Sequence, residues 1–128
     1  MEHRQRFRVQ WIDTDAGGRI HFTAAFRWAE ATETMLYKLA GLPNEELHRF
    51  PRRHVEVEYR RVLVYDDEVE VLLRVDKIGR SSIALVWEVI HDGETAIDGR
   101  YTVVYVGDDG RPAAVPDDLR EALIRSGG

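Results

Sequence analysis

The chain of 128 residues contains no cysteine, which excludes disulfide staples, thiolate zinc sites and cysteine nucleophiles together. It also lacks an excess of positive charge. Against 18 Lys and Arg stand 23 Asp and Glu, a formal net charge of -5, so phosphate backbones and anionic lipid are not expected as broad electrostatic partners. No run approaches the roughly 20 apolar residues that a membrane-spanning helix needs, and the N-terminal MEHRQRFRVQW is too polar for the apolar centre of a signal peptide. Linkers, internal repeats and low-complexity tracts are missing as well. These absences lead us to expect a protein of the cytoplasm, with neither nucleic acid nor membrane among its partners.

What is present is enough for one core. Hydrophobic residues make up 44% of the chain, which suits a single domain over residues 1–128 and leaves no room for a second. Residues Phe7 to Ile12 alternate, with Phe7, Val9 and Trp11 on one side, as in a strand with one buried face. From Thr23 to Ala40, apolar residues at Ala25, Trp28, Ala29, Met35, Leu36 and Leu39 recur at helical spacing, and Gly41 and Pro43 lie just beyond. RRHVEVEYRRVLVY then alternates with Val55, Val57, Tyr59, Leu63 and Tyr65 on one side, and EVEVLLRVDKI repeats the pattern. SSIALVWEVIH and ETAIDGRYTVVYV follow, separated by a hairpin signal at Asp92 and Gly93. Four consecutive strands with short turns predict an antiparallel meander. DDLREALIRSGG reads as a short C-terminal helix with Asp117 or Asp118 near its N-cap. The class that follows is α+β, a curved antiparallel sheet wrapped around one long helix whose wide apolar stripe must be covered.

The chemistry concentrates in WIDTDAGGRIHFTAAFRW, at the start of that helix. Asp13 reads as a residue that closes the turn. Gly17 and Gly18 offer positive φ or a close backbone approach, and a helix N-terminus supplies unpaired N–H groups and a favourable dipole end. His21 can exchange a proton near neutral pH. Trp11, Phe26 and Trp28 are core residues first and walls of a pocket second. No histidine and carboxylate cluster has metal-ligand spacing, and no P-loop or Rossmann glycine pattern occurs.

IDTDAGGRIHFTAAFRWAE followed by RHVEVEYRRVLVYDDEVEV resembles the hotdog-fold acyl-CoA thioesterases, especially the 4-hydroxybenzoyl-CoA thioesterase-like family, over about Phe7 to Val106. The resemblance implies the hotdog fold and hydrolysis of acyl-CoA thioesters. It places the catalytic carboxylate on Asp15, as nucleophile or as general base on water, and a backbone oxyanion donor at Phe22. It further implies sites between subunits, in dimers or homotetramers built as dimers of dimers. His21 is a second catalytic candidate, and Gly17, Gly18, Phe22 and Phe26 are candidates for contact with substrate. Glu30, which matches an acidic position of the pattern, is a backup carboxylate or a subunit contact, and the plainer reading of both Glu30 and Glu33 is a solvated or salt-bridged helix face. Coenzyme A would carry phosphates, for which Arg60, Arg61 and the turn residues Arg80, Ser81 and Ser82 are candidates. Coenzyme A belongs to the substrate, so no separate cofactor and no metal are expected. The chain departs from the pattern at Ala24 and Ala25, where many members carry asparagine and tyrosine, and at His21 and Phe22. A hydratase or dehydratase on the same fold and a non-catalytic acyl-CoA binding protein are the rival readings.

Overall fold

Five strands and one long helix account for most of residues 1–125, the part of the chain that the computed structural model describes. The strands are β1 (Glu2–Arg8), β2 (Arg52–Tyr59), β3 (Glu68–Ile78), β4 (Ser82–His91) and β5 (Glu94–Val104); the helices are α1 (Ala24–Leu39) and α2 (Asp117–Ile124). All strand pairs are antiparallel, in the order β1-β3-β4-β5-β2.

Helix α1 lies within a residue of its expected bounds because its end signal is strong. Gly41 adopts φ 98°, and its N–H bonds Lys38 O while Leu42 N–H bonds Tyr37 O, both at 3.0 Å. These two bonds close a Schellman motif that only a residue tolerant of positive φ completes without strain. Ala24, Ala25 and Ala29 are fully buried, so the helix backbone sits close to the sheet, nearest β1 and β3. Leu36 is fully buried as well, and its side chain contributes about 2 kcal/mol. The stripe is displaced from the expected one. Met35 and Leu39 are exposed, and Thr32, Glu33 and Tyr37 take buried positions instead. Thr32 Oγ1 donates to Trp28 O at 2.8 Å, and Glu33 is bonded by Tyr37 and Arg52, so burial leaves no polar group of this face unpaired.

The meander expectation holds for β3, β4 and β5 only. β2 pairs with β5 at the far edge of the sheet, while β3 returns beside β1. Alternation identifies a strand without naming its neighbour, and here it also overruns the strand's end. β2 stops at Tyr59, after which residues 60–67 cross the end of the sheet. Arg60 and Arg61 N–H both bond Ala96 O, Leu63 O accepts from Ile20 N–H, and Asp66 N–H bonds Val9 O. In that crossing Leu63 is buried, whereas Val62, Val64 and Tyr65 are exposed; Val55 and Tyr59 of β2 are exposed too, where an inward face was expected.

The first strand begins and ends earlier than expected, and Trp11, assigned inward, is 75% exposed. Asp13 explains this. Its side chain is buried, with Oδ2 accepting from Gln10 N–H at 2.8 Å and Oδ1 from Arg27 at 2.6 Å. The resulting 3-10 turn over Trp11–Asp13 breaks the strand's alternation.

The DG signal is a hairpin turn with Asp92 at φ 51° and Gly93 at φ 76°, the backbone of a type I′ turn. At Gly99 a Cβ would stand 2.4 Å from the Trp87 indole. The glycine thus makes room for the ring directly across the β4–β5 pair. Helix α2 is capped at Pro116 rather than at Asp117 or Asp118; both aspartates occupy its first turn, where they favour the positive end of the helix dipole. The part of the expected C-terminal helix over residues 126–128 lies outside the described residues.

Candidate active site

The crossing segment and the loop before α1 enclose a surface pocket of about 450 Å³, lined by Asp15, Arg19, His21, Phe22, Tyr59 and Arg60, with Ile20, Arg61, Val62 and Leu63 completing it. Its construction starts from the loop. Thr14 and Ile20 pair across it, Arg19 pairs with Val64 of the crossing segment, and Asp15 N–H bonds Arg19 O at 2.8 Å. The segment from Asp15 to Arg19 is thereby held as a tight turn. Gly18 sits in that turn at φ 85°. Gly17 N–H donates to Asp15 Oδ1 at 2.7 Å, and a Cβ on Gly17 would approach the same oxygen to 3.2 Å. The missing side chain lets the carboxylate rest on the backbone. Asp15 is exposed, and its Oδ2 has no hydrogen-bond partner among the described residues.

The other half of the pocket is the approach to α1. His21 N–H is taken by Asp13 O at 2.7 Å, and Thr23 N–H by His21 Nδ1 at 3.2 Å. Between them, Phe22 N–H donates to no group among the described residues. Both flanking peptide planes are fixed, since His21 O accepts from Ala24 N–H and Phe22 O accepts from the Tyr59 hydroxyl. A free donor therefore stands in a defined orientation just before the N-terminus of a 16-residue helix that has no acidic side chain in its first turn. The helix dipole adds to its attraction for negative charge. His21 stacks on the Phe22 ring at 4.7 Å. Its Nδ1 is engaged by Thr23, 2.8 Å from the hydroxyl and 3.2 Å from the N–H, which leaves Nε2 without a partner among the described residues.

Around this centre the surface is apolar and charged in alternation. Phe22 is 61% exposed, and the exposed Tyr59 and Val62 line the pocket with it. Arg60 pairs with Asp98 and Arg61 with Glu94, each at 2.8 Å; Arg19 has no ion pair among the described residues. Burial raises the pKa of the Tyr59 phenol, which keeps it protonated and a donor to Phe22 O.

Of the residues singled out from the sequence, Asp15, Gly17, Gly18, His21, Phe22 and Arg60 thus fall in or on this loop and pocket. Phe26 lies deeper, stacked 6.5 Å from Tyr101. Glu30 is on the other side of α1, 3.6 Å from Arg52. Arg80, Ser81 and Ser82 occupy the β3–β4 turn, at the opposite end of the strands from the crossing segment, and within one chain they do not meet Asp15. Arg61, named with Arg60 from the sequence, also lines the pocket, and Arg19 and Tyr59 complete it without having been singled out in that role. Tyr59 lay in a strand pattern that assigned it to the core, and the pairing with Phe22 O has no sequence signal.

A second polar cluster is buried. Glu33 is 2% exposed and receives both Arg52 guanidinium nitrogens, Nη1 to Oε2 at 2.9 Å and Nη2 to Oε1 at 2.6 Å, while Tyr37 donates to Oε2 at 2.6 Å. Arg52 also lies 4.7 Å over the Tyr101 ring. Burial raises the pKa of Glu33, opposed by the Arg52 hydrogen bond and charge. The expectation of a helix face open to solvent fails for this residue, although its salt bridge is present. Among the described residues no three His, Asp or Glu side chains gather as a metal-binding group.

Comparison with known proteins gives concordant matches. Residues 9–123 match the family described as the Thioesterase-like superfamily. Over 122 residues the chain is 26% identical to a curated protein of Aquifex aeolicus (strain VF5), covering 92% of this chain and 94% of that protein. It is 29% identical over 98 residues to a 1,4-dihydroxy-2-naphthoyl-CoA hydrolase of Prochlorococcus marinus (strain NATL2A), covering 67% of this chain and 63% of the relative. Among solved structures, a thioesterase of Thermus thermophilus complexed with coenzyme A and Zn superposes with a TM-score of 0.90 at 28% identity, covering 96% of this chain and 98% of the other.

Proposed function

Because the chain belongs to the Thioesterase-like superfamily, and is a hotdog-fold thioester hydrolase on that ground, we propose that it hydrolyses acyl-CoA thioesters with Asp15 as the catalytic carboxylate and the Phe22 amide as the oxyanion donor. The observation that carries this reading is that one pocket holds both an aspartate with an unengaged oxygen and an unengaged N–H before a helix N-terminus. Those are the two groups that acyl transfer requires.

In this reading the thioester carbonyl oxygen accepts from Phe22 N–H, and charge develops on it as the carbonyl carbon is attacked. Asp15 Oδ2 either attacks directly, forming a mixed anhydride that water then opens, or takes the proton of an attacking water. In both routes the C–S bond breaks with its electron pair leaving on sulfur. A thiol has a pKa of about 8.5, so the thiolate departs near neutral pH without a strong acid beside it. His21, with its free nitrogen Nε2, serves to contact the substrate or to protonate the thiolate, and turnover does not depend on it absolutely. Arg19, Arg60 and Arg61 at the rim offer contacts for the phosphates of coenzyme A, with Arg80, Ser81 and Ser82 doing so only from another subunit. Coenzyme A enters as part of the substrate, and the residues named need no further cofactor.

A second copy of the chain completes the site in this proposal. β2 is an edge strand with an unpaired side, and Val55, Tyr59, Phe22 and Val62 form exposed apolar surface beside the pocket. Such an edge is normally covered, and two-fold pairing of identical chains is the commonest way to do so.

The test is thiol release from a panel of aromatic and aliphatic acyl-CoAs by wild type, Asp15→Asn and Asp15→Ala. Turnover in the wild type and loss of it in both folded variants, with substrate binding retained, is the expected result. Undiminished turnover in both would overturn the assignment of Asp15, and binding without turnover on every substrate would overturn hydrolysis itself.

A further inference from the structure

On the outer face of the sheet, away from α1, lies a second depression of about 450 Å³ whose wall carries no carboxylate. Its floor is Ala84 and Thr102, and its rim is Arg53, His54, Lys77, Ser82 and Arg100. The register explains how they meet. Lys77 pairs with Ala84, Ala84 with Thr102, and Thr102 with His54, which makes one row across four strands. Ser82 and Arg100 stand two residues along their own strands and therefore on the same face. Two small residues in the middle of the row, flanked by long cationic ones, leave a dish.

Two irregularities sharpen it. The pairing shifts between Arg52 and His54 in β2 and between Val75 and Lys77 in β3. An extra residue at such a bulge re-aims side chains that strict alternation would send to opposite faces. Arg52 therefore turns inward to Glu33, while the successive residues Arg53 and His54 both face the dish. In β3 the extra residue is Asp76, which bonds Arg100 at 2.8 Å, and His54 Nε2 lies 2.7 Å from Glu56. Arg53 and Lys77 have no ion pair among the described residues, and neither the Ser82 nor the Thr102 hydroxyl is hydrogen-bonded among them.

We propose that this outer-face dish, formed where the bulges of β2 and β3 bring Arg53, His54, Lys77 and Arg100 around Ala84 and Thr102, is a phosphate-binding site. The two cations without an ion pair among the described residues, Arg53 with its guanidinium fork and Lys77, together with free hydroxyl donors match a doubly charged tetrahedral anion better than a carboxylate, while Arg100 and His54 are shared with Asp76 and Glu56. From Arg53 to Tyr59 the strand covers about 20 Å, so the dish does not touch the reacting atoms. Its ligand is either the phosphate end of a coenzyme A thioester or the phosphates of a free nucleotide. The site stands independently of the role assigned to Asp15.

The experiment titrates the full chain calorimetrically with inorganic pyrophosphate and with adenosine 3′,5′-bisphosphate, comparing wild type, the double variant Arg53→Gln/Lys77→Gln, and Asp15→Asn. Both altered positions of the double variant are exposed, so its fold is preserved. Wild type is expected to bind, more weakly as salt is raised. The double variant should bind about tenfold more weakly, and Asp15→Asn as wild type does. The KM for one acyl group on coenzyme A and on pantetheine then separates the sources. A rise confined to the coenzyme A thioester in the double variant assigns the dish to the substrate's phosphates, and unchanged KM values with lost pyrophosphate binding assign it to a free phosphate ligand. Absence of saturable binding to wild type, or equal binding by the double variant, would overturn the site.

Discussion

Asp15 and Glu33 are carboxylates in one small domain, and the fold treats them in opposite ways. Asp15 stands in a glycine turn, exposed, with one oxygen resting on Gly17 N–H and the other unengaged. Glu33 is buried on α1, with both oxygens held by Arg52 and one also by Tyr37. Burial raises the pKa of Glu33, and perturbed groups often mark active sites. Here the perturbation has a structural cause, because both oxygens of Glu33 are held by Arg52, which fastens edge strand β2 to the central helix, and Oε2 is held by Tyr37 as well. A reacting carboxylate needs an unoccupied oxygen next to space for a substrate, and only Asp15 has both.

The sharpest way to break this contrast is to remove each carboxylate and read activity and stability separately. Asp15→Asn should lower turnover by about 10²–10⁴-fold with the denaturation midpoint unchanged, since the side chain is exposed and its amide analogue still accepts from Gly17. Glu33→Ala should do the reverse. It leaves Arg52 and the Tyr37 hydroxyl without their partner and should cost about 3 kcal/mol in urea unfolding, while turnover of the folded fraction stays within about threefold. Loss of turnover in folded Glu33→Ala, or unfolding of Asp15→Asn, would erase the distinction. A smaller effect tests the oxyanion half of the pocket. Tyr59→Phe removes the hydroxyl that fixes Phe22 O, a bond worth about 1 kcal/mol, and should lower kcat several-fold with KM and stability little changed. An unaltered kcat would show that Ala24 N–H alone orients the Phe22 peptide.

The sequence makes α1 legible to within a residue because periodicity, Gly41 and Pro43 agree, and the β4–β5 hairpin because Asp92-Gly93 demands one backbone. The crossing segment was not legible. Val62, Leu63 and Val64 continue the alternation of β2 without a break, so nothing local marks the point where the chain leaves the sheet; only the bonds of Arg60 and Arg61 to Ala96 and of Leu63 to Ile20 reveal it. That one turn brings Tyr59 to the pocket and explains why it was passed over. The Glu33 cluster did leave a trace. Ala29, Glu33 and Tyr37 are spaced four apart and share a helix face, so a buried Ala29 places Glu33 inward, but its partner Arg52 comes from a distant strand that local spacing cannot reach. The loop at Asp15 is the opposite case, since the two glycines and the aspartate interact within three residues.

The finest test of the comparison is pH, because it asks whether burial or the ion pair dominates at Glu33. Burial is the larger influence and raises the folded-state pKa above the ordinary 4.5, with Arg52 opposing it. A carboxylate raised in this way contributes stability that is fully present below pH 4.5 and lost as pH rises through the higher folded value. Other groups titrate in the same region with the opposite sign. Asp108, for example, is lowered by its hydrogen bond to Arg49 and loses its contribution as pH falls. The informative quantity is therefore the difference in unfolding free energy between wild type and Glu33→Gln. Below pH 4.5 a protonated Glu33 resembles the amide, so the difference, wild type minus variant, is near zero; it should fall below zero as pH rises and level off above the folded pKa. A difference that instead grows with pH would mean that Arg52 holds the Glu33 carboxylate below its ordinary range. The ion pair would then stabilise the charged form outright, rather than only offsetting part of what burial costs it.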